Sequence, residues 1–127
     1  GANMIKIAAA KAALPFWEAF FKGLLCNILV CLAVWLALAG RSVADKISAI
    51  VFPISAFVAA GFEHSVANMY FIPLGLLVQG QLTGDHPAAL GITGLWSNLI
   101  PVTLGNIAGG GVMVAAIYYL VYRRSSG

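Results

Sequence analysis

The chain has 127 residues, of which 61% are apolar and only 9% charged, against about a quarter charged in an ordinary soluble domain. So few charges cannot hold that much Leu, Ala, Val and Ile in water, which excludes a nucleic-acid-binding module, a disordered chain and a disulfide-stapled secreted domain. What remains is an all-α membrane protein, with room for three or four helices at about 20 residues per crossing.

Residues 1–14 open with Gly1-Ala2-Asn3-Met4-Ile5 and lack the basic start, apolar centre and cleavage site of a secretory leader. The chain reads as starting inside a longer protein. The first span is expected over residues 15–39. It begins with Pro15, suited to a first helical turn, and the aromatic-rich Phe16-Trp17-Glu18-Ala19-Phe20-Phe21-Lys22. The charged turn Gly40-Arg41-Ser42-Val43-Ala44-Asp45-Lys46 follows, where Gly40 can end one helix and Ser42 or Asp45 cap the next. The second apolar stretch, residues 47–78, is long for one untilted crossing and carries Glu63, His64, Ser65 and Asn68 in its middle. It is expected to be a helix broken near 63–68, with halves at Ile47 to Phe62 and Met69 to Val78.

Gln79 to Trp96 contains several glycines, Pro87 and no Lys or Arg, and is expected to be a loop in which Asp85 and His86 are solvated. The third span covers residues 98–122 and closes with Tyr118, Tyr119, Tyr122 and then Arg123-Arg124. By the bias of cations toward the cytoplasm, the C-terminus is cytoplasmic, the Arg41/Lys46 turn inside, the cation-free loop outside and the N-terminal segment outside. Lys6, Lys11 and Lys22 then lie on the cation-poor side. Either the topology is inverted, or these lysines draw an anion toward a pore mouth.

An ionisable side chain at membrane depth costs about 2.5–3.5 kcal/mol or more when charged, so Glu63 and His64 require a reason. If the helix were continuous, Phe57, His64 and Asn68 would share one stripe. Glu63, about 100° away, would brace the scaffold instead. Asn27, inside the first span, either glues two helices or meets a substrate oxygen. Gly105 and Gly109 form a GxxxG face, extended in spacing by Gly111 and Ala115, which admits a neighbouring backbone, and Asn106 within it satisfies that neighbour's backbone. Ala33 and Ala37 form a small seam on the first span. Cys26 and Cys31, about 140° apart on a helix, cannot pair with each other and act as apolar fillers. No catalytic motif, metal cluster or cofactor signature stands out, so neither an enzyme nor a cofactor is expected.

Gly61-Phe62-Glu63-His64-Ser65-Val66-Ala67-Asn68-Met69-Tyr70-Phe71-Ile72-Pro73 resembles the signature of the formate/nitrite transporter family. The stretches Leu25 to Trp35 and Asn98 to Gly111 agree with it in order and spacing. The resemblance covers nearly the whole chain but only the family's C-terminal half. It implies an aquaporin-like protomer of six helices, built as two inverted three-helix repeats, with one pore per protomer and five protomers per ring. This chain, residues 1–127, would be the second repeat. His64 would match the central pore histidine, Asn27, Glu63 and Asn68 the polar groups around it, and Lys11 the vestibule lysine that attracts anions. Phe57 would match an aromatic of a hydrophobic constriction. The first three helices, with the threonine that partners the histidine, lie outside these 127 residues, so the chain reads as a fragment or one half of a split protein.

A small anion sheds water into an apolar slit far less readily than its neutral acid does. Imidazole changes charge between pH 5 and 8, so His64 would lend a proton or switch a gate. The run Met69 to Gly75 looks closer to formate channels than to nitrite channels, placing formate first, with nitrite and hydrosulfide behind. A non-transporting helical membrane subunit is the alternative from another class.

Overall fold

The computed structural model describes residues 1–81 and 90–124 and, among these, is built from helices alone. They are α1 (Ala2–Ala12), α2 (Phe16–Ala39), α3 (Val43–Ala59), α4 (Ser65–Gln79), α5 (Ile92–Asn106), a π-helical segment (Ile107–Val114) and α6 (Ala115–Arg124). The last three run on as one helix, apolar over Ile92–Arg123. That helix and α2, whose 24 residues extend about 36 Å at 1.5 Å per residue, are each long and apolar enough to cross a bilayer.

The turn between α2 and α3 is fixed by a reciprocal cap. Asp45 N–H donates to Ser42 Oγ (3.1 Å), while Asp45 Oδ2 accepts from the Ser42 and Arg41 N–H groups (2.9 and 3.2 Å). These bonds, the Ser42 backbone bond foremost, hold the exposed Asp45 carboxyl below its usual range. Because the folded state favours the carboxylate, its contribution is complete above the ordinary carboxyl pKa and disappears as pH falls through the lowered value. The protection of the Arg41 and Ser42 amides, taken as exchange relative to the unfolded chain at the same pH, should therefore hold from neutral to mildly acidic pH and fall only in stronger acid; protection already lost near pH 6 would contradict the cap.

α2 lies along α5, the π-helical segment and α3, whereas α1 lies on α4. The α2–α5 approach is set by missing side chains: a Cβ on Gly105 would overlap the Phe20 carbonyl oxygen, and one on Gly109 the Leu24 carbonyl oxygen. The seam does not continue to Gly111 and Ala115, as their spacing suggests, because both are exposed. Ile5 and Ala8 of α1, Ile72 of α4 and Leu90 just ahead of α5 form the buried cluster. Cys26 is buried, Cys31 half-buried, and both are free thiols. The outer face is apolar, with Trp17, Leu38 and Phe52 among its most open side chains.

Four features differ from the sequence expectation. α1 was not foreseen: it is alanine-rich, without a side-chain cap at its start, and its burial against α4 supplies what local signals do not. α3 begins at Val43, ahead of Ile47, because the Ser42–Asp45 cap starts it. The broken segment is shorter, since α4 starts at Ser65 and not near Met69. α5 begins at Ile92, so Ile92 to Trp96 are helical, not loop. Asp85 and His86 lie outside the described residues.

α3 ends in a Schellman turn. Gly61 takes φ +65°, Gly61 N–H reaches Val58 O (3.1 Å) and Phe62 N–H reaches Phe57 O (3.0 Å). Only glycine adopts that backbone without strain, and the turn swings Glu63 and His64 out of helical register.

Candidate functional site

The break between α3 and α4 gathers polar side chains from four helices. Lys11 of α1 donates through Nζ to Glu63 Oε1 at 2.8 Å, and its ammonium stands 5.9 Å from the centre of the Phe71 ring. Asn68 of α4, fully buried, donates through Nδ2 to Glu63 Oε2 (2.5 Å) and to Asn98 Oδ1 of α5 (2.7 Å). Asn98 Nδ2 in turn donates to the Lys11 carbonyl oxygen at 2.8 Å. The four residues thus close a ring of hydrogen bonds that begins and ends on Lys11. Its polarity is determined: the Lys11 carbonyl requires the Asn98 nitrogen, which leaves the Asn98 oxygen to receive from Asn68.

This geometry corrects the stripe drawn for a continuous helix. His64 is not helical; it is the N-cap of α4, with φ −115° and ψ 120°. Asn68 is turned to Glu63 and Asn98, and Glu63, expected to brace the scaffold, does so as the acceptor at the centre of the ring. Phe57 does neighbour His64, with ring centroids 6.2 Å apart, but the Schellman turn brings them together. Lys11, expected to attract anions at a vestibule, forms its ion pair with Glu63.

His64 is half-buried, and its Nδ1 is buried with no hydrogen-bond partner among the described residues. The peptide groups around it are firmly held. Glu63 N–H donates to Lys22 O of α2 (3.3 Å). Asn106, the last residue of α5, donates through Nδ2 to Glu63 O (3.1 Å) and Gly23 O (2.8 Å). Its Oδ1 accepts from Ser65 N–H (3.0 Å) and Ser65 Oγ–H (2.9 Å). Asn27 Nδ2 donates to the Asn106 carbonyl oxygen at 2.6 Å. That is the interhelical bond left open above, and it falls where α5 widens into the π-helical segment, as expected when a side chain competes for the helix's own carbonyl.

Asn98 is the residue that sequence reasoning passed over, because it stood at the expected edge of the third span. The available signal was a second carboxamide on the helix that carries Asn106, opposite an apolar stretch with its own Glu63 and Asn68.

Built from helices alone among the described residues, with two helices long and apolar enough to cross a bilayer and a further apolar stretch broken at His64, the chain has the architecture of an integral membrane protein. Residues 1–120 match the formate/nitrite transporter family, and the chain belongs to that family. It is 40% identical over 137 residues to the formate channel FocA of Escherichia coli K12, an alignment covering 99% of this chain and 48% of that protein. It is 47% identical over 122 residues to a Methanothermobacter thermautotrophicus protein named a probable formate transporter, covering 96% of this chain and 42% of the relative. Among solved structures it superposes on a pentameric formate channel with formate bound, with TM-score 0.87 and 42% identity, covering 95% of this chain and 52% of that one. An FNT family ion channel gives TM-score 0.83 at 39% identity, covering 94% of this chain and 45% of that one. The chain spans about half the length of the curated relatives it matches.

Proposed function

We propose that this chain forms one half of a transmembrane pore for a small monovalent anion, formate first, with nitrite and hydrosulfide as the other candidates. The observation that carries the reading is His64 at the helix break, its buried Nδ1 without a hydrogen-bond partner among the described residues and its ring beside that of Phe57, in a chain similar to a channel solved with formate bound. A second, three-helix half completes the conduit, and five such protomers form the ring. The protein sits in a bacterial-type plasma membrane with its Arg123-Arg124 end in the cytoplasm, and it conducts rather than catalyses.

In this reading the anion reaches the break through a vestibule where the Lys11–Glu63 pair sets the local field. Asn27 and Asn68 flank the route as polar groups, and Phe57 keeps it dry. An anion enters an apolar passage at a heavy desolvation penalty that its conjugate acid avoids. Protonated His64 transfers its proton to the carboxylate oxygen of formate, formic acid leaves uncharged, and the neutral imidazole takes a proton back from the aqueous side. His64→Phe in the complete assembly in liposomes should alter the pH dependence of formate flux. If the profile stays as in the wild type, the histidine has no part in the mechanism.

A further inference from the structure

His64 has no side-chain hydrogen bond among the described residues that could aim its ring through Nδ1. The ring's direction therefore depends on the backbone that carries it. Both flanking peptide groups end on a single carboxamide: the Glu63 carbonyl before His64 receives from Asn106 Nδ2 (3.1 Å), and the Ser65 N–H after it donates to Asn106 Oδ1 (3.0 Å). A carboxamide offers a donor and an acceptor on opposite prongs of a planar group, which is what bracketing one residue from both sides demands. Asn106 is itself 7% exposed and anchored twice more, to Gly23 O (2.8 Å) and through its own carbonyl to Asn27 Nδ2 (2.6 Å). Its position follows α2 and the start of the π-helical segment.

We infer that Asn106 is the positioning residue for His64, holding the two peptide groups between which the imidazole is presented to the anion. The inference rests on the reading of His64 as the pore's titrating group. The charged groups on the helices packed around the break are Lys11 and Glu63, paired with each other, Glu18 and Lys22 of α2, paired at 2.7 Å, Lys6 of α1, and Asp45 and Lys46 of α3, with Cys26 and Cys31 of α2 and Tyr70 of α4 as the other titratable side chains. Replacing Asn106 by alanine alters none of these charges, so a change in His64 behaviour reports geometry and contact with solvent.

The test uses the complete assembly and two readouts. In nanodiscs, the His64 imidazole resonance, assigned by its loss in His64→Phe, is titrated in wild type and Asn106→Ala. In liposomes, formate flux is followed against pH for wild type, Asn106→Ala, His64→Phe and the double variant. Asn106→Ala should displace the His64 titration and lower flux on the order of tenfold, the scale on which a misplaced reacting group is felt. In the His64→Phe background the same change should leave flux unaltered. An Asn106→Ala protein whose His64 titrates as in wild type, or an equal flux loss in both backgrounds, would reduce Asn106 to a scaffold residue and overturn the inference. If His64→Phe leaves the flux profile untouched, the pore reading fails on its own, and the nanodisc titration still decides for Asn106. Should Asn106→Ala not assemble, Ser65→Ala, which removes only the hydroxyl bond to Oδ1 (2.9 Å), decides instead: a smaller displacement of the His64 titration supports the inference, and none overturns it.

Discussion

Gly105→Ala should separate α2 from α5 and markedly lower the resistance of the assembled protein to unfolding by SDS. The added methyl would overlap the Phe20 carbonyl oxygen and lie 2.9 Å from the Leu24 nitrogen, both backbone atoms that no rotamer change can clear. Overpacking of this kind costs about 1–3 kcal/mol, occasionally more. Here the displaced helix also carries the Asn106 bonds to Gly23, Glu63 and Ser65. Gly111→Ala is the control: the nearest atom its methyl would meet is Ile107 Cγ2 at 3.8 Å, and it should be neutral or stabilising by a few tenths of a kcal/mol to about 1 kcal/mol. Equal denaturation midpoints for the two variants would show that the α2–α5 seam is looser than described.

Lys11→Met should be the most damaging change at the polar ring. Glu63 is 4% exposed, and removing the ammonium at 2.8 Å leaves a buried carboxylate without its counter-charge. Breaking one side of a buried pair costs about 3–5 kcal/mol, and the partial exposure of Lys11 places the loss toward the lower figure. The double variant Lys11→Met/Glu63→Leu should recover much of it, because replacing both partners removes the uncompensated group. Thermal unfolding of the two single variants and the double variant in detergent measures the coupling. Additive losses would mean that the two side chains do not act as a pair.

The long spans were legible in the sequence because uninterrupted apolar runs leave few other structures open, and the break was legible because Glu63 and His64 are too polar for an ordinary crossing. The arrangement around the break was not. A stripe through Phe57, His64 and Asn68 assumes one helix, whereas the positive φ of Gly61 ends α3 and removes His64 from the register. Glycine at that position was visible, but its conformation depends on the turn that forms around it. α1 was hidden for a different reason: eleven largely small residues hold as a helix by docking Ala8 against Gly75, a contact invisible to local pattern. The π-helical widening was hidden as well, since Gly109-Gly110-Gly111 reads equally well as a packing face.

The polar ring also has an order of construction. Lys11 is separated from Glu63 by 52 positions and from Asn98 by 87, so α1 is synthesised well before the residue that closes the ring. Closure of the circuit is therefore a late event in biogenesis, and a truncation that stops translation ahead of Asn98 should leave α1 seated on α4 through Ala8 and Ile72 but with its Lys11 carbonyl oxygen without the Asn98 donor.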